Sequence, residues 1–353
     1  MGDNRLRGKR IFVGFNNAGS VGAYSFTRFL KEKGINIDFW GFSGNWVKDP
    51  VDVAVRNYRN FFLRKIQGLI LLIYALFKYD VFHFYSRGTF FQYKIDFFLI
   101  KLFRKKIVVD FRGSDAFDVV RSVNREGKDS PYYQIYKDRG PAYFQKRDGV
   151  KRFIIGHADA IVLAGPWLVD SVSRYDSIIP YSRDIDQIRS YKKDYSNKEF
   201  TVLHAPTNSG IKGSKYLFKA IDELKDRGLK VRLVNPGQIA REDLFDLINR
   251  SDVVVDQLLL GWYGGFAVEA MALGKPVICF LKGKYKKLVP FGKEIPVINA
   301  NKDNVDEVIE KLIGNKNKLE VLGKRGYKFV KRFHDAKVVA PQYEDIYNKV
   351  LDL

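Results

Sequence analysis

The stretch 251–278, SDVVVDQLLLGWYGGFAVEAMALGKPVI, gathers the residue types best suited to holding an anion. Val253, Val254 and Val255 form a short β-branched run, and the turn that follows contains Gly261, Gly264 and Gly265. Residues 267–273 are helix-forming, Gly274 closes the helix, and Pro276 bars continuation before a second apolar strand at 277–280. This order predicts that the N–H groups of Gly264, Gly265, Phe266 and Ala267 gather at the positive end of a helix dipole, a seat for phosphate. Glu269, in the first turn of that helix, has two readings from its type and place. It accepts hydrogen bonds from neighbouring ribose hydroxyls, or it only complements the dipole.

The same stretch resembles the donor-site signature of the retaining, GT-B type nucleotide-sugar glycosyltransferases of the family 4-like kind. Glu269, Ala270, Met271, Ala272, Gly274, Pro276 and Val277 fit its second half, and Tyr263-Gly264 stands for its Phe-Gly. The signature's first glutamate, which touches the donor sugar or its phosphate in that family, falls on Gly261, and Asp256 or Gln257 is the candidate substitute. The resemblance implies two doubly wound Rossmann-like α/β domains facing across a cleft, the second binding the nucleotide sugar. It also implies a metal-independent transfer in which lysine and helix dipoles stabilise the leaving diphosphate.

Further matches add candidates. In APTNSGIKG, Lys212-Gly213 matches the family's diphosphate-binding Lys-Gly; the accompanying Arg is absent, and Thr207, Asn208 or Ser209 supplies hydroxyl and amide donors, with Lys215 as a second cation. The nucleotide base is expected near 235–239. In the first half, Asn17, Ala18, Gly19 and Ser20 sit where the family's first loop meets donor phosphate, although a plain strand-to-helix turn fits them equally. DVFHFYS places His83 at the end of a strand facing the acceptor, or packed in a core. DFRGSDAF resembles the family's His-Gly-Xaa-Asp loop, with Arg112 for the His, Gly113 and Asp115 matching; Arg112 then presents a cation to a phosphate. The implied catalytic set is therefore Lys212, Arg112, Asp115 and His83.

These groups need strands and helices to hold them, and alternating apolar strands and helical stretches run through both halves. The expected domains are 1–183, joined by a C-terminal helix at 335–353, and 184–334, with the polar stretch SYKKDYSNKEF as linker. The region 121–152 reads as an acceptor-side insertion or a helix pair. GLILLIYALF, at 68–77, is apolar on all sides but too short to span a bilayer, so burial against a sheet is the default expectation. In the helix expected over 90–106, Lys94, Lys101 and Lys105 share a face among phenylalanines.

The chain has 353 residues, 46% of them hydrophobic, which suits two globular domains rather than disorder. Its net charge of +21 calls for a polyanionic partner: anionic membrane lipid, a phosphorylated substrate or nucleic acid. The single cysteine, Cys279, excludes an internal disulfide and favours a reducing compartment. No signal-peptide pattern or metal-ligand spacing is read, and Leu6 stands where a myristoylation motif needs Ser or Thr. The expectation is a cytoplasmic enzyme, peripheral on the membrane, without cofactor or metal. It takes a UDP- or GDP-linked sugar and passes it to a membrane-associated glycan or glycolipid. A nucleic-acid-modifying glycosyltransferase and a non-catalytic GT-B scaffold are the alternatives.

Overall fold

The apolar runs become two all-parallel sheets. The computed structural model describes residues 6–15, 21–42, 50–85, 89–192, 199–315 and 317–353. In chain order the first part contains β1 (Arg10–Gly14), α1 (Val21–Glu32), β2 (Asn36–Phe42), β3 (Val53–Val55), α2 (Phe61–Lys78), β4 (Val81–Tyr85), α3 (Tyr93–Leu102) and β5 (Lys106–Phe111). Helices α4 (Val119–Glu126), α5 (Tyr133–Arg139) and α6 (Pro141–His157) precede β6 (Ala160–Leu163), β7 (Ser177–Ile178) and α7 (Ile185–Ser190). Then come β8 (Phe200–Leu203), α8 (Ser209–Lys212), α9 (Ser214–Asp226), β9 (Val231–Val234), α10 (Arg241–Asn249), β10 (Val253–Val255), α11 (Gly265–Ala272) and β11 (Val277–Cys279). The chain ends with α12 (Gly283–Lys286), β12 (Ile298–Asn299), α13 (Val305–Ile313), α14 (Asn317–Phe333) and α15 (Ala336–Leu351).

Two compact units result: Met1–Asp118 with Lys146–Arg183 and Ala336–Leu353, and Val119–Gln145 with Asp184–Asp335. The first holds a seven-stranded sheet in the order β3-β2-β1-β4-β5-β6-β7. Its central strand β4 is buried at every residue, as a parallel sheet covered on both faces requires. The register sets His83 opposite Val13 and Val108. Helix α15 closes one face, its Tyr343 ring stacked on Phe26 of α1 at 4.1 Å.

The second unit has a five-stranded sheet, β12-β11-β10-β8-β9, with Val254 opposite Leu203 and Val277, and Val255 opposite Ile278. Gly274, at φ +77°, ends α11 in the left-handed conformation that the sequence reserved for it. Gly323 of α14 lies so close to the Gly274 carbonyl that a Cβ there would stand 1.9 Å from its oxygen, so glycine lets α14 seat against the end of α11. The segment 119–145, read above as part of the first domain, groups with this unit: Lys282 Nζ reaches Glu126 Oε1 at 3.4 Å and Lys302 Nζ reaches Asp129 at 3.8 Å.

Two local expectations are corrected. The helix expected over 90–106 ends at Leu102, because Arg104 turns at φ +57° and Lys106 already belongs to β5. Lys101 and Lys105 pair with Asp159 (2.5 Å) and Asp80 (3.3 Å), so the three lysines do not form one outward stripe. Helix α2 does not bury all round: Gly68, Leu72, Ala75 and Leu76 face the unit, whereas Ile70 and Phe77 are exposed. No helix among the described residues is long and apolar enough to cross a membrane.

Candidate functional site

The site is built on the strand ends of the second sheet. β10 hands over to Asp256, whose buried carboxylate has both oxygens engaged: Oδ1 takes Lys212 Nζ at 2.8 Å and Oδ2 accepts the Gly264 N–H at 2.6 Å. One carboxylate thus ties α8, the turn after β10 and the start of α11 together. Gly264 caps α11, and a Cβ on it would lie 3.3 Å from both Asp256 Oδ2 and Lys212 Nζ. A side chain there would press on the ion pair.

Lys212 is held from its backbone as well. Its carbonyl accepts the Leu258 N–H at 3.0 Å, and Gly213 leaves α8 at φ +78° with Leu258 and Leu259 packed against the position of its missing Cβ. Asn208 caps α8 through Oδ1 and the Ile211 N–H at 2.9 Å, while Thr207 and Ser209 are exposed beside it. Lys215 is exposed on α9, its ammonium over the Tyr216 ring. His204, at the end of β8, is enclosed between the Val255 carbonyl (Nδ1, 2.9 Å) and Ser214 Oγ (Nε2, 2.7 Å). The carbonyl accepts only, so Nδ1 carries the proton and Ser214 donates to Nε2. Burial lowers the imidazole pKa despite Val255 and Asp256, and the neutral ring pins β8 to β10 and α9. Cys279, next door on β11, is buried, its thiol pushed up by burial and by Asp256.

Glu269 lies in the second turn of α11, not the first, because the helix begins at Gly265 rather than Ala267. It is buried, and Arg241 Nη2 at the start of α10 donates to its Oε1 at 3.2 Å. Arg241 was missed from the sequence. The available signal was an arginine at the first helical position, where the dipole disfavours a cation unless a carboxylate compensates. Phe266 is half-buried and Ala267 buried at the mouth of α11. Asn235, by which the base was expected, is exposed in the loop after β9.

The position of the signature's first glutamate has a structural explanation. Gly261 sits at φ +87°, and a Cβ on it would lie 2.6 Å from Lys282 Cγ. The Lys282 stem fills that place, its N–H bonded to the Gly261 carbonyl at 2.9 Å. Asp256 is committed to Lys212 and Gly264, and Gln257 is buried, so neither presents an exposed group in the glutamate's stead.

The candidates from the first half are placed in the first unit. His83 is fully buried, with Nδ1 2.8 Å from the Tyr347 hydroxyl and Nε2 3.9 Å from Asp110 Oδ2. Burial, helped by the Arg112 charge, lowers its pKa to about 3, so it is a neutral core imidazole rather than a group facing an acceptor. Arg112 Nη2 donates to the Tyr343 hydroxyl (2.6 Å) and pairs with Asp110 (2.8 Å), and Tyr343 in turn donates to Asp110. Burial pushes the Asp110 carboxyl above the usual range, against the opposing pull of Arg112 and Tyr343. The expectation that Arg112 presents its cation outward is thereby corrected: its guanidinium holds α15 to the end of β5. Asp115 folds the loop itself, accepting the Gly113 N–H at 2.6 Å and the Arg112 N–H at 3.3 Å. Gly19, with Asn17, Ala18 and Ser20, lies outside the described residues. Among the described residues no three His, Cys, Asp or Glu side chains gather as a metal-ligand set.

Comparison with known proteins follows the same division. Residues 192–329 match the family model for glycosyl transferases group 1. No curated protein matches the chain. Among solved structures, a sucrose-phosphate synthase from Thermosynechococcus elongatus is similar over 98% of this chain and 99% of its own, with 14% identity and a TM-score of 0.65. An α-glucosyltransferase in complex with UDP and a 13-mer DNA matches over 95% of this chain and 98% of its own (14% identity, TM-score 0.61). HepE from Anabaena, in complex with UDP-glucose, matches over 97% and 99% (13% identity, TM-score 0.57). At these identities the likeness establishes the fold, GT-B, and over residues 192–329 the chain is similar to the glycosyl transferases group 1 family.

Proposed function

We propose that the protein transfers a sugar, with retention of configuration, from a nucleoside diphosphate donor held by the second unit to a hydroxyl of a membrane-associated glycan or glycolipid. The observation that carries this reading is the Lys212–Asp256–Gly264 network at the start of α11, with the Glu269–Arg241 pair one turn further on. The first N–H groups of α11 have no acceptor within the helix, so the amides of Gly265, Phe266 and Ala267 meet the diphosphate together with the Lys212 ammonium. Asp256 leaves Lys212 two further N–H donors and fixes where they point. As the glycosidic bond breaks, charge grows on the departing diphosphate, and preorganised donors stabilise that charge without reorganising. Glu269 accepts from the ribose hydroxyls, with Arg241 orienting it.

Calorimetry with a panel of UDP-, GDP- and ADP-sugars tests the donor half: one member binds, and binding weakens in Lys212→Ala. Silence across the panel at millimolar concentration returns the chain to the scaffold reading. A second acceptor class is favoured by the +21 charge, namely nucleic acid. Transfer of label to DNA in preference to lipid-linked acceptors would replace the membrane acceptor by that class.

A further inference from the structure

Helix α2 contains no acidic residue and presents two apolar faces. The inner one packs, and Gly68 brings the helix so close to the Phe90 carbonyl that a Cβ would lie 2.2 Å from its oxygen. The outer row, Phe62, Ile66, Leu69, Ile70, Ile73 and Phe77, repeats at helical spacing yet points to solvent, with Phe62 74%, Ile70 61% and Phe77 76% exposed. A helix facing water carries polar residues there. α3 and its C-terminal cap extend the surface: Phe98 and Leu102 are exposed, and the Phe103 ring meets Phe77 edge to face at 5.7 Å. So large a contiguous apolar surface marks an interaction site.

The border of this surface identifies its occupant. Arg59, Arg64, Lys94 and Arg104 are exposed around it, Arg64 lying over the Phe61 ring and Lys94 over Phe153. The one carboxylate of α3, Asp96, is buried, accepting the Phe91 and Gln92 N–H groups. A cationic border with no exposed carboxylate on either helix would oppose its own image in a pair of identical chains, and it complements lipid phosphates.

We propose that the outer faces of α2 and α3 insert into the interfacial region of an anionic bilayer, lying in the membrane plane with the aromatic and aliphatic row below the headgroups and the cations at phosphate level. This deepens the membrane-acceptor reading above and rests on it for its purpose, but it is independent of the donor site. Insertion, rather than charge alone, holds the protein, so part of the binding resists salt.

Flotation of the full chain with phosphatidylcholine vesicles, with and without phosphatidylglycerol, tests it. The wild type floats with anionic vesicles and keeps a bound fraction when salt is raised. Phe62→Ser, Ile70→Ser and Phe77→Ser each lower partitioning about tenfold, since each withdraws a large apolar side chain from the bilayer. These positions are exposed, so thermal melting stays unchanged in each single variant. Arg64→Glu with Lys94→Glu and Arg104→Glu abolishes the preference for anionic vesicles. Wild-type partitioning by the serine variants, complete release by salt, or self-association that the serine variants abolish in the absence of vesicles would each overturn the proposal. Donor calorimetry is read on the same variants: intact donor binding with lost flotation concerns this surface alone, whereas absent donor binding in the wild type concerns the transferase reading alone.

Discussion

Neutralising Asp256 tests the logic of the site, because one buried carboxylate there serves two partners. In Asp256→Asn the Lys212 ammonium loses its partner at 2.8 Å, and the Gly264 N–H loses a charged acceptor at 2.6 Å. Hydrogen bonds to charged groups contribute about 1.5–3 kcal/mol each. Lys212 retains 18% of its side-chain exposure, so water compensates part of its loss, and about 3 kcal/mol of local stability is the expected cost. Lys212→Met leaves the opposite fault, a buried carboxylate with only the Gly264 N–H, at a similar cost. The double variant removes both charges at once and strands neither. Its destabilisation should therefore fall short of the sum of the singles by about 1.5–3 kcal/mol, roughly ten- to hundred-fold in the opening equilibrium. Hydrogen exchange read by mass spectrometry on peptides covering β8, β10 and the start of α11 measures the three openings locally. Additivity within about 0.5 kcal/mol would falsify the claim that Asp256 and Lys212 form a coupled pair.

The other expectations follow from the same geometry. Glu269→Ala removes the carboxylate and leaves Arg241 partly open to water, so it lowers donor affinity about tenfold or more, whereas Arg241→Ala strands the buried Glu269 carboxylate and also measurably lowers the melting temperature; equal donor affinity to wild type in both variants would remove Glu269 from the ribose site. Gly261→Glu, which restores the family's residue, does not raise turnover and destabilises the second unit, because it forces a side chain into φ +87° against the Lys282 stem; a gain in turnover would show that Lys282 yields the place readily. His83 has its folded pKa depressed to about 3 from the ordinary 6.5, so the unfolded chain takes up a proton that the folded chain refuses. Its contribution is fully present above pH 6.5 and is lost as pH falls toward 3, with a slope approaching 1.4 kcal/mol per pH unit. The stability difference between wild type and His83→Phe, measured by urea unfolding across that range, should show this slope, and a pH-independent difference would contradict it.

The sequence by itself determined the unit 253–279: strand, glycine turn, helix and strand were all legible because each depends on neighbours within a few residues. Val253, Val254 and Val255 carry β-branched apolarity, Gly274 supplies the left-handed residue, and Pro276 forbids continuation. The parallel character of both sheets was legible for the same reason, from helices alternating with strands. What needed the tertiary structure were relations between residues distant in sequence. Asp256 meets Lys212 from 44 positions away and Arg241 meets Glu269 from 28, and neither pairing leaves a periodicity to read. His83 and Arg112 looked like site residues by motif, but Tyr347 and Tyr343, more than 200 positions later, enclose them once α15 folds over the end of the sheet. The direction of α2 was undecidable for a different physical reason. Hydrophobic periodicity identifies a helix face only when its opposite face is polar, and 68–77 is apolar all round, so only the packing of α2 on its unit decides which row is covered and which meets the solvent.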